Sequence, residues 1–288
     1  LGCDLHCGYC QNWVTSQALR DEAAGAAIHP ISAEELVVHA KQRGALTLTS
    51  TYNEPLITSE WAMEIFRLGK NAGLYTSYVS NGNSTDEVLA YIRPHTDFYK
   101  IDLKSFDDKR YRSLGGTLQN VLDGIVRTFA AELWLELVTL VVPGFNDSEA
   151  ELRAMAGFIA DLSPDIPWHV TAFHPDYRMT RPSHTSPEAL LRAYRIGQEA
   201  GLRYLYPGNL PGRVGDLEHT RCPHCAGVLV ERQGFAVTGY HLRDGHCPRC
   251  EAPIAGRWHT PETLPGFSKG HGNARGIGHG NGHSNRLQ

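Results

Sequence analysis

Seven cysteines carry the chemistry that can be read from this chain, and they fall into two groups. Cys3, Cys7 and Cys10 stand in a Cys-x3-Cys-x2-Cys spacing, with the aromatic Tyr9 directly before the third. Three thiolates on so short a loop can wrap one face of a cubane iron–sulfur cluster. They are one short of the usual four, which leaves one iron open to an outside ligand. The competing reading is a zinc or structural site built on Cys7 and Cys10, with ligands from elsewhere. The second group is two Cys-Pro-x-Cys knuckles, Cys222/Cys225 and Cys247/Cys250. Paired knuckles at this separation make a four-thiolate tetrahedral site of the zinc-ribbon kind, structural because no position stays open. A rubredoxin-type iron shares that geometry, and a pair of disulfides is the remaining alternative. Residues 227–230 and 235–238 read as the ribbon strands. Thiols that ligate metal must stay reduced, which favours a cytoplasmic setting.

Composition limits the classes open to the chain. Its 288 residues, 41% hydrophobic and 20% charged, leave room for one large and one small soluble domain. A net charge of −4 argues against nucleic acid as a partner. No apolar run approaches the roughly 20 residues that a membrane span needs. No signal peptide is visible, but Leu1 falls inside a motif, so the sequence is expected to be incomplete at its N-terminus.

Helix and strand signals alternate after the cysteine loop. Ser32-x-x-Glu35, Ser84-x-x-Glu87 and Ser148-x-x-Glu151 read as capping boxes, and Ser186-Pro187 as a helix start. Strands are expected over 46–51, 74–80, 97–102, 133–142, 168–173 and 202–206, the fourth apolar enough to be buried on both faces. This alternation means repeated βα units and a parallel sheet, an α/β fold in which chemistry gathers at the C-terminal strand ends. Those ends carry Thr51-Tyr52-Asn53-Glu54-Pro55, Ser80-Asn81-Gly82, Asp102-Leu103-Lys104, residues 143–147 and His174-Pro175-Asp176-Tyr177. Five polar or turn-forming strand ends around a cysteine loop read as a lined cavity. Glu136, inside the fourth strand, is a further cavity candidate. His169 reads as structural.

The motifs Cys-Gly-Tyr-Cys-Gln-Asn-Trp, Thr-Tyr-Asn-Glu-Pro, Val-Ser-Asn-Gly, Asp-Leu-Lys, Val-Pro-Gly-Phe-Asn-Asp and Phe-His-Pro-Asp-Tyr together resemble the radical SAM enzymes of the AmmeMemoRadiSam system, relatives of pyruvate formate-lyase activating enzyme. The resemblance implies a partial (β/α)6 TIM-like barrel of the radical SAM type, its first strand missing from this chain, followed by the zinc ribbon. It implies a [4Fe–4S] cluster on Cys3, Cys7 and Cys10, and S-adenosylmethionine (SAM) cleaved reductively to a 5′-deoxyadenosyl radical that abstracts hydrogen. For SAM it implies Asn53 and Glu54 at the amino group and Ser80 and Asn81 at the ribose or carboxylate. Asp102 and Lys104 would lie near SAM or substrate, with His174 and Tyr9 toward the adenosine. The implied partners are a substrate, in the activating enzymes a glycine of another protein, a reductant such as flavodoxin or ferredoxin, and the other AmmeMemoRadiSam proteins. Two other readings stay open: radical modification of RNA or a small molecule with the ribbon as recognition module, and a non-catalytic zinc-binding adaptor. The expected domains are 1–212 for the barrel, 213–220 for a linker, 221–259 for the ribbon with its structural Zn2+, and 260–288 for a disordered Gly/His-rich tail. In that tail His271, His279 and His283 are weak metal candidates.

Overall fold

A computed structural model describes residues 1–258; the expected tail, with His271, His279 and His283, lies outside the described residues. Six strands form one parallel sheet in sequential order: β1 (Thr47–Ser50), β2 (Tyr75–Ser80), β3 (Phe98–Asp102), β4 (Trp134–Val141), β5 (Trp168–Ala172) and β6 (Leu205–Gly208). All six follow the cysteine loop. The main helices are α2 (Ala33–Gln42), α3 (Ser59–Asn71), α4 (Asp86–Ile92), α6 (Leu118–Ala130), α7 (Glu149–Leu162) and α8 (Pro187–Glu199). Two short ones are α1 (Trp13–Ser16), in a stretch without clear periodicity, and α5 (Asp108–Ser113). Sequential parallel strands joined by crossovers of one hand place the connecting helices on one face of a sheet.

Burial along the strands shows the two faces. In β4, Leu135, Leu137, Thr139 and Val141 are buried, while Trp134, Glu136, Val138 and Leu140 are only half-buried. The expectation of burial on both faces is therefore corrected. The helix face is packed with Tyr78, Tyr99, Ile101, Leu137 and Trp168, and the opposite face lines open space. Thr139 is tolerated in the core because its hydroxyl donates to the Leu103 carbonyl at 2.9 Å and accepts from Trp168 Nε1 at 3.0 Å.

Of the three capping boxes, the one at Ser32 and Glu35 forms in full. At the second, Thr85 rather than Ser84 caps α4, accepting from the Val88 N–H. Ser84 is instead buried beside Gly124, whose missing Cβ would stand 2.0 Å from the Gly82 carbonyl oxygen. At the third, Ser148 caps α7, but the Glu151 carboxylate turns away to the Ser105 hydroxyl, the Phe106 N–H and Arg110. A buried carboxylate with those donors in reach gains more there than from one exposed N-cap amide.

A second, antiparallel sheet holds β7 (Thr220–Arg221), β8 (Val228–Gln233) and β9 (Ala236–Tyr240). Its small core, with Leu229, Val230, Leu242 and Ile254, includes Tyr204 from beside β6, whose hydroxyl accepts from the Ala255 N–H at 3.2 Å. The expected linker is packed at both ends: Val214 is buried in the main core and Thr220 is in the ribbon sheet. Among the described residues no helix is long and apolar enough to cross a membrane.

Candidate active site

The cysteine loop is pinned across the C-terminal strand ends by backbone hydrogen bonds from several directions. The Gly8 carbonyl accepts from Arg178 and Met179 N–H at 3.0 and 2.9 Å, and His6 N–H donates to the Leu114 carbonyl at 2.8 Å. Glu54 N–H donates to the Gly2 carbonyl at 3.1 Å. Trp13 stacks on Tyr177 at 5.1 Å, tying the same loop to the segment after β5.

Under this loop lies a cavity of about 300 Å3. Cys7, Tyr9 and Cys10 line it from above, and Asp102 and Lys104 from the end of β3. Tyr9 is buried, edge-on to Phe145 at 5.7 Å. Lys104 Nζ donates to Asp102 Oδ2 at 2.7 Å. Burial opposes the ammonium charge, but the Asp102 carboxylate beside it outweighs burial and holds Lys104 protonated, its pKa well above the usual lysine value. The same cavity is lined by Thr171 and Asn209, which the sequence reading passed over. Its position carries the signal: Asn209 directly follows β6, at the C-terminal end of a sheet strand.

Glu54, Ser80 and Asn81 form a different unit, behind the cavity wall. Glu54 is buried, with Oε1 accepting from the Ser80 hydroxyl at 2.8 Å and the Leu56 N–H at 3.1 Å, and Oε2 from the Asn81 N–H at 2.7 Å. Burial pushes its pKa up to about 7 despite those donors. Asn81 Nδ2 donates to Asp4 Oδ1 at 2.5 Å and lies 4.0 Å from Cys3 Sγ. This unit joins the end of β2 to the cysteine loop. Asn53 is absent from the cavity lining, where Thr51 and Tyr52 represent its segment. His174 is exposed, with Nδ1 4.0 Å from Asp176.

Cys3, Cys7 and Cys10 lack the mutual sulfur spacing of a single-ion site. Among the described residues the only group of sulfurs close enough for one ion is Cys222, Cys225, Cys247 and Cys250. The thiolates of a cubane sit on different irons and so stand further apart than the ligands of one metal. Burial raises the pKa of Cys7, and that of Cys3 to about 12, so these thiols ionise only when a metal supplies positive charge. In the ribbon, Cys222 and Cys250 sulfurs are 3.6 Å apart, as are Cys225 and Cys247. Tetrahedral thiolates at about 2.3 Å from zinc require roughly that spacing.

Fold and loop together define a class: a parallel α/β protein with a three-cysteine loop roofing a cavity at its C-terminal strand ends. The chain belongs to the radical SAM superfamily, whose family model matches residues 1–156. Membership implies SAM and a [4Fe–4S] cluster. An uncharacterized protein of Methanocaldococcus jannaschii is 32% identical over 251 residues, 87% of this chain and 73% of that protein. The pyruvate formate-lyase-activating enzyme of Clostridium pasteurianum is 27% identical over 173 residues, 56% of this chain and 67% of the enzyme. Among solved structures, Streptococcus suis SuiB bound to S-adenosylmethionine matches with a TM-score of 0.57. It is 14% identical, over 72% of this chain and 48% of SuiB, so the likeness is one of fold.

Proposed function

We propose that this protein is a radical SAM enzyme of the AmmeMemoRadiSam group, with Cys3, Cys7 and Cys10 holding a [4Fe–4S] cluster. The bound cluster would supply the electron that splits SAM into methionine and a 5′-deoxyadenosyl radical, which takes hydrogen from a substrate. The observation that carries this reading is the cysteine loop pinned over a polar cavity at the strand ends, with Cys7 and Cys10 in its wall.

The chain's own residues bind and orient. Lys104 presents a fixed cation, and Asp102 takes only one of its three donors, so the other two can meet the methionyl carboxylate. Thr171 and Asn209 offer hydroxyl and amide groups to the adenosine, and Tyr9 supports the loop from its buried side. Asn53, Glu54, Ser80, Asn81 and His174 act on SAM through the loop and strand ends that they hold or flank. The substrate proposed from the activating-enzyme relatives is a glycine Cα in a partner protein, with flavodoxin or ferredoxin as reductant and the other AmmeMemoRadiSam proteins as associates. The ribbon is proposed to hold a structural Zn2+, and the protein to work in the cytoplasm.

The test is anaerobic purification, reconstitution with iron and sulfide, then addition of dithionite and SAM, with 5′-deoxyadenosine read by mass spectrometry. Wild type should form it and Cys7→Ala should not. A chain that takes up only zinc at both cysteine groups refutes the proposal.

A further inference from the structure

The inner face of the sheet continues past the candidate active site toward the N-terminal ends of the strands. There it lines a second cavity of about 340 Å3, which shares Val79 and Lys100 with the first. The volume is that of a small-ligand pocket, for which about 300–1,000 Å3 is usual. Its walls combine an aromatic floor, Phe98 opposite Trp134, with a row of charge, Lys100 opposite Glu136. Arg257 reaches it from the segment that follows the ribbon's last knuckle.

The charges are unequally satisfied. Glu136 Oε1 accepts from Trp134 Nε1 at 3.0 Å, and Oε2 lies 2.8 Å from His169 Nε2. Both oxygens are thus engaged, and Lys100 acts on them only through space. Among the described residues neither Lys100 nor Arg257 forms a salt bridge, and both face the same cavity. Thr49 and Ser77, hydroxyls 2.6 Å apart, add a neutral polar wall. Of the charged groups that line the cavity, two are cations, and the one carboxylate is already hydrogen-bonded.

We propose that this second cavity is a binding site for an organic anion, with Lys100 and Arg257 holding a carboxylate or phosphate and the Phe98–Trp134 floor holding an apolar body. The ribbon thereby gains a role: it delivers Arg257. The tie is reinforced where Tyr206, stacked on His169 at 5.1 Å, meets the Thr220 hydroxyl at 3.0 Å, which also accepts from Arg232 at 2.6 Å. The anion site stands on the cavity itself. That its ligand is the substrate, extending along the shared wall toward the first cavity, rests on the proposed radical reaction.

The test uses the full chain with its metals loaded and isothermal titration calorimetry with three probes: phenyl phosphate, phenylacetate and neutral benzyl alcohol. At least one anion should bind ten-fold tighter than benzyl alcohol, and which one does so identifies the headgroup. Arg257→Gln and Lys100→Gln should each weaken that anion at least five-fold and leave benzyl alcohol unchanged. Arg257 is exposed, so its variant keeps the test open if the strand variant fails to fold. Equal binding of all three probes, no binding of either anion, or anion binding indifferent to the Arg257 variant overturns the site. Formation of 5′-deoxyadenosine, measured on the same preparations, keeps the two proposals apart. Selectivity absent with SAM cleavage intact sinks only the anion site, and selectivity present without cleavage sinks only the radical reading.

Discussion

Replacing Glu54 by glutamine tests whether the carboxylate behind the cysteine loop is a structural pin. In the folded protein its pKa is about 7, against 4.5 for an ordinary glutamate. Folded protein therefore binds more protons than unfolded protein across that interval, so stability falls as pH rises through it. The contribution is fully present below pH 4.5 and lost above pH 7, a change of about 3 kcal/mol in all, of which about 2 kcal/mol falls above pH 5.5. Glutamine does not titrate but carries one acceptor oxygen in place of two. With that oxygen serving Ser80 and Leu56, its amide group faces the Asn81 N–H, donor against donor. Leaving that buried donor unpaired costs about 1–3 kcal/mol. The variant should thus be less stable than wild type at pH 5.5 and should converge on it, or pass it, by pH 8.5. Urea unfolding across this range, at fixed metal loading, reads the difference directly. Parallel stability profiles for the two proteins would refute the argument, because Glu54 would then not titrate in this window.

Gly124→Ala should destabilise by about 1–3 kcal/mol and perturb cluster uptake as well, because its Cβ would press on the Gly82 carbonyl next to Asn81; unchanged thermal unfolding and iron content would contradict this close approach. His169→Ala should lose about 1 kcal/mol at pH 7, because the Glu136 side chain is about a third exposed and water can take the place of the lost partner, with His169→Gln recovering much of it; equal stability of the two variants would mean that the hydrogen bond is not what matters. The His169 hydrogen bond and charge overcome burial and hold the Glu136 carboxyl at about 2, so its stabilisation is present above pH 4.5 and lost as pH falls through about 2. Acid unfolding of His169→Ala should accordingly begin at higher pH. Cys222→Ser should lower the metal content by one ion per chain and loosen the segment carrying Arg257, read as faster amide exchange over 240–257; undiminished metal would show that the knuckles do not share one ion.

Local chemistry was legible in the sequence. Spacing alone grouped the cysteines into one loop and one pair of knuckles, because ligands a few residues apart are held together by the chain itself. The alternating strands and helices foretold the parallel sheet, and all five polar strand ends read from the sequence surround or support the cysteine loop in the structure. Tertiary structure decided which polar groups face the cavity and which stand behind it. Glu54, Ser80 and Asn81 come from two strand ends, and only their packing shows that they bind one another. Thr85 rather than Ser84 caps α4 because Gly124 brings α6 onto the end of β2, a contact between residues some forty positions apart. The inner face of β4 was equally hidden: Val138 and Leu140 read as core until the fold puts them in a cavity wall. Hydrophobicity along a strand reports the residue types, but only the neighbouring elements determine whether protein or open space lies above each face.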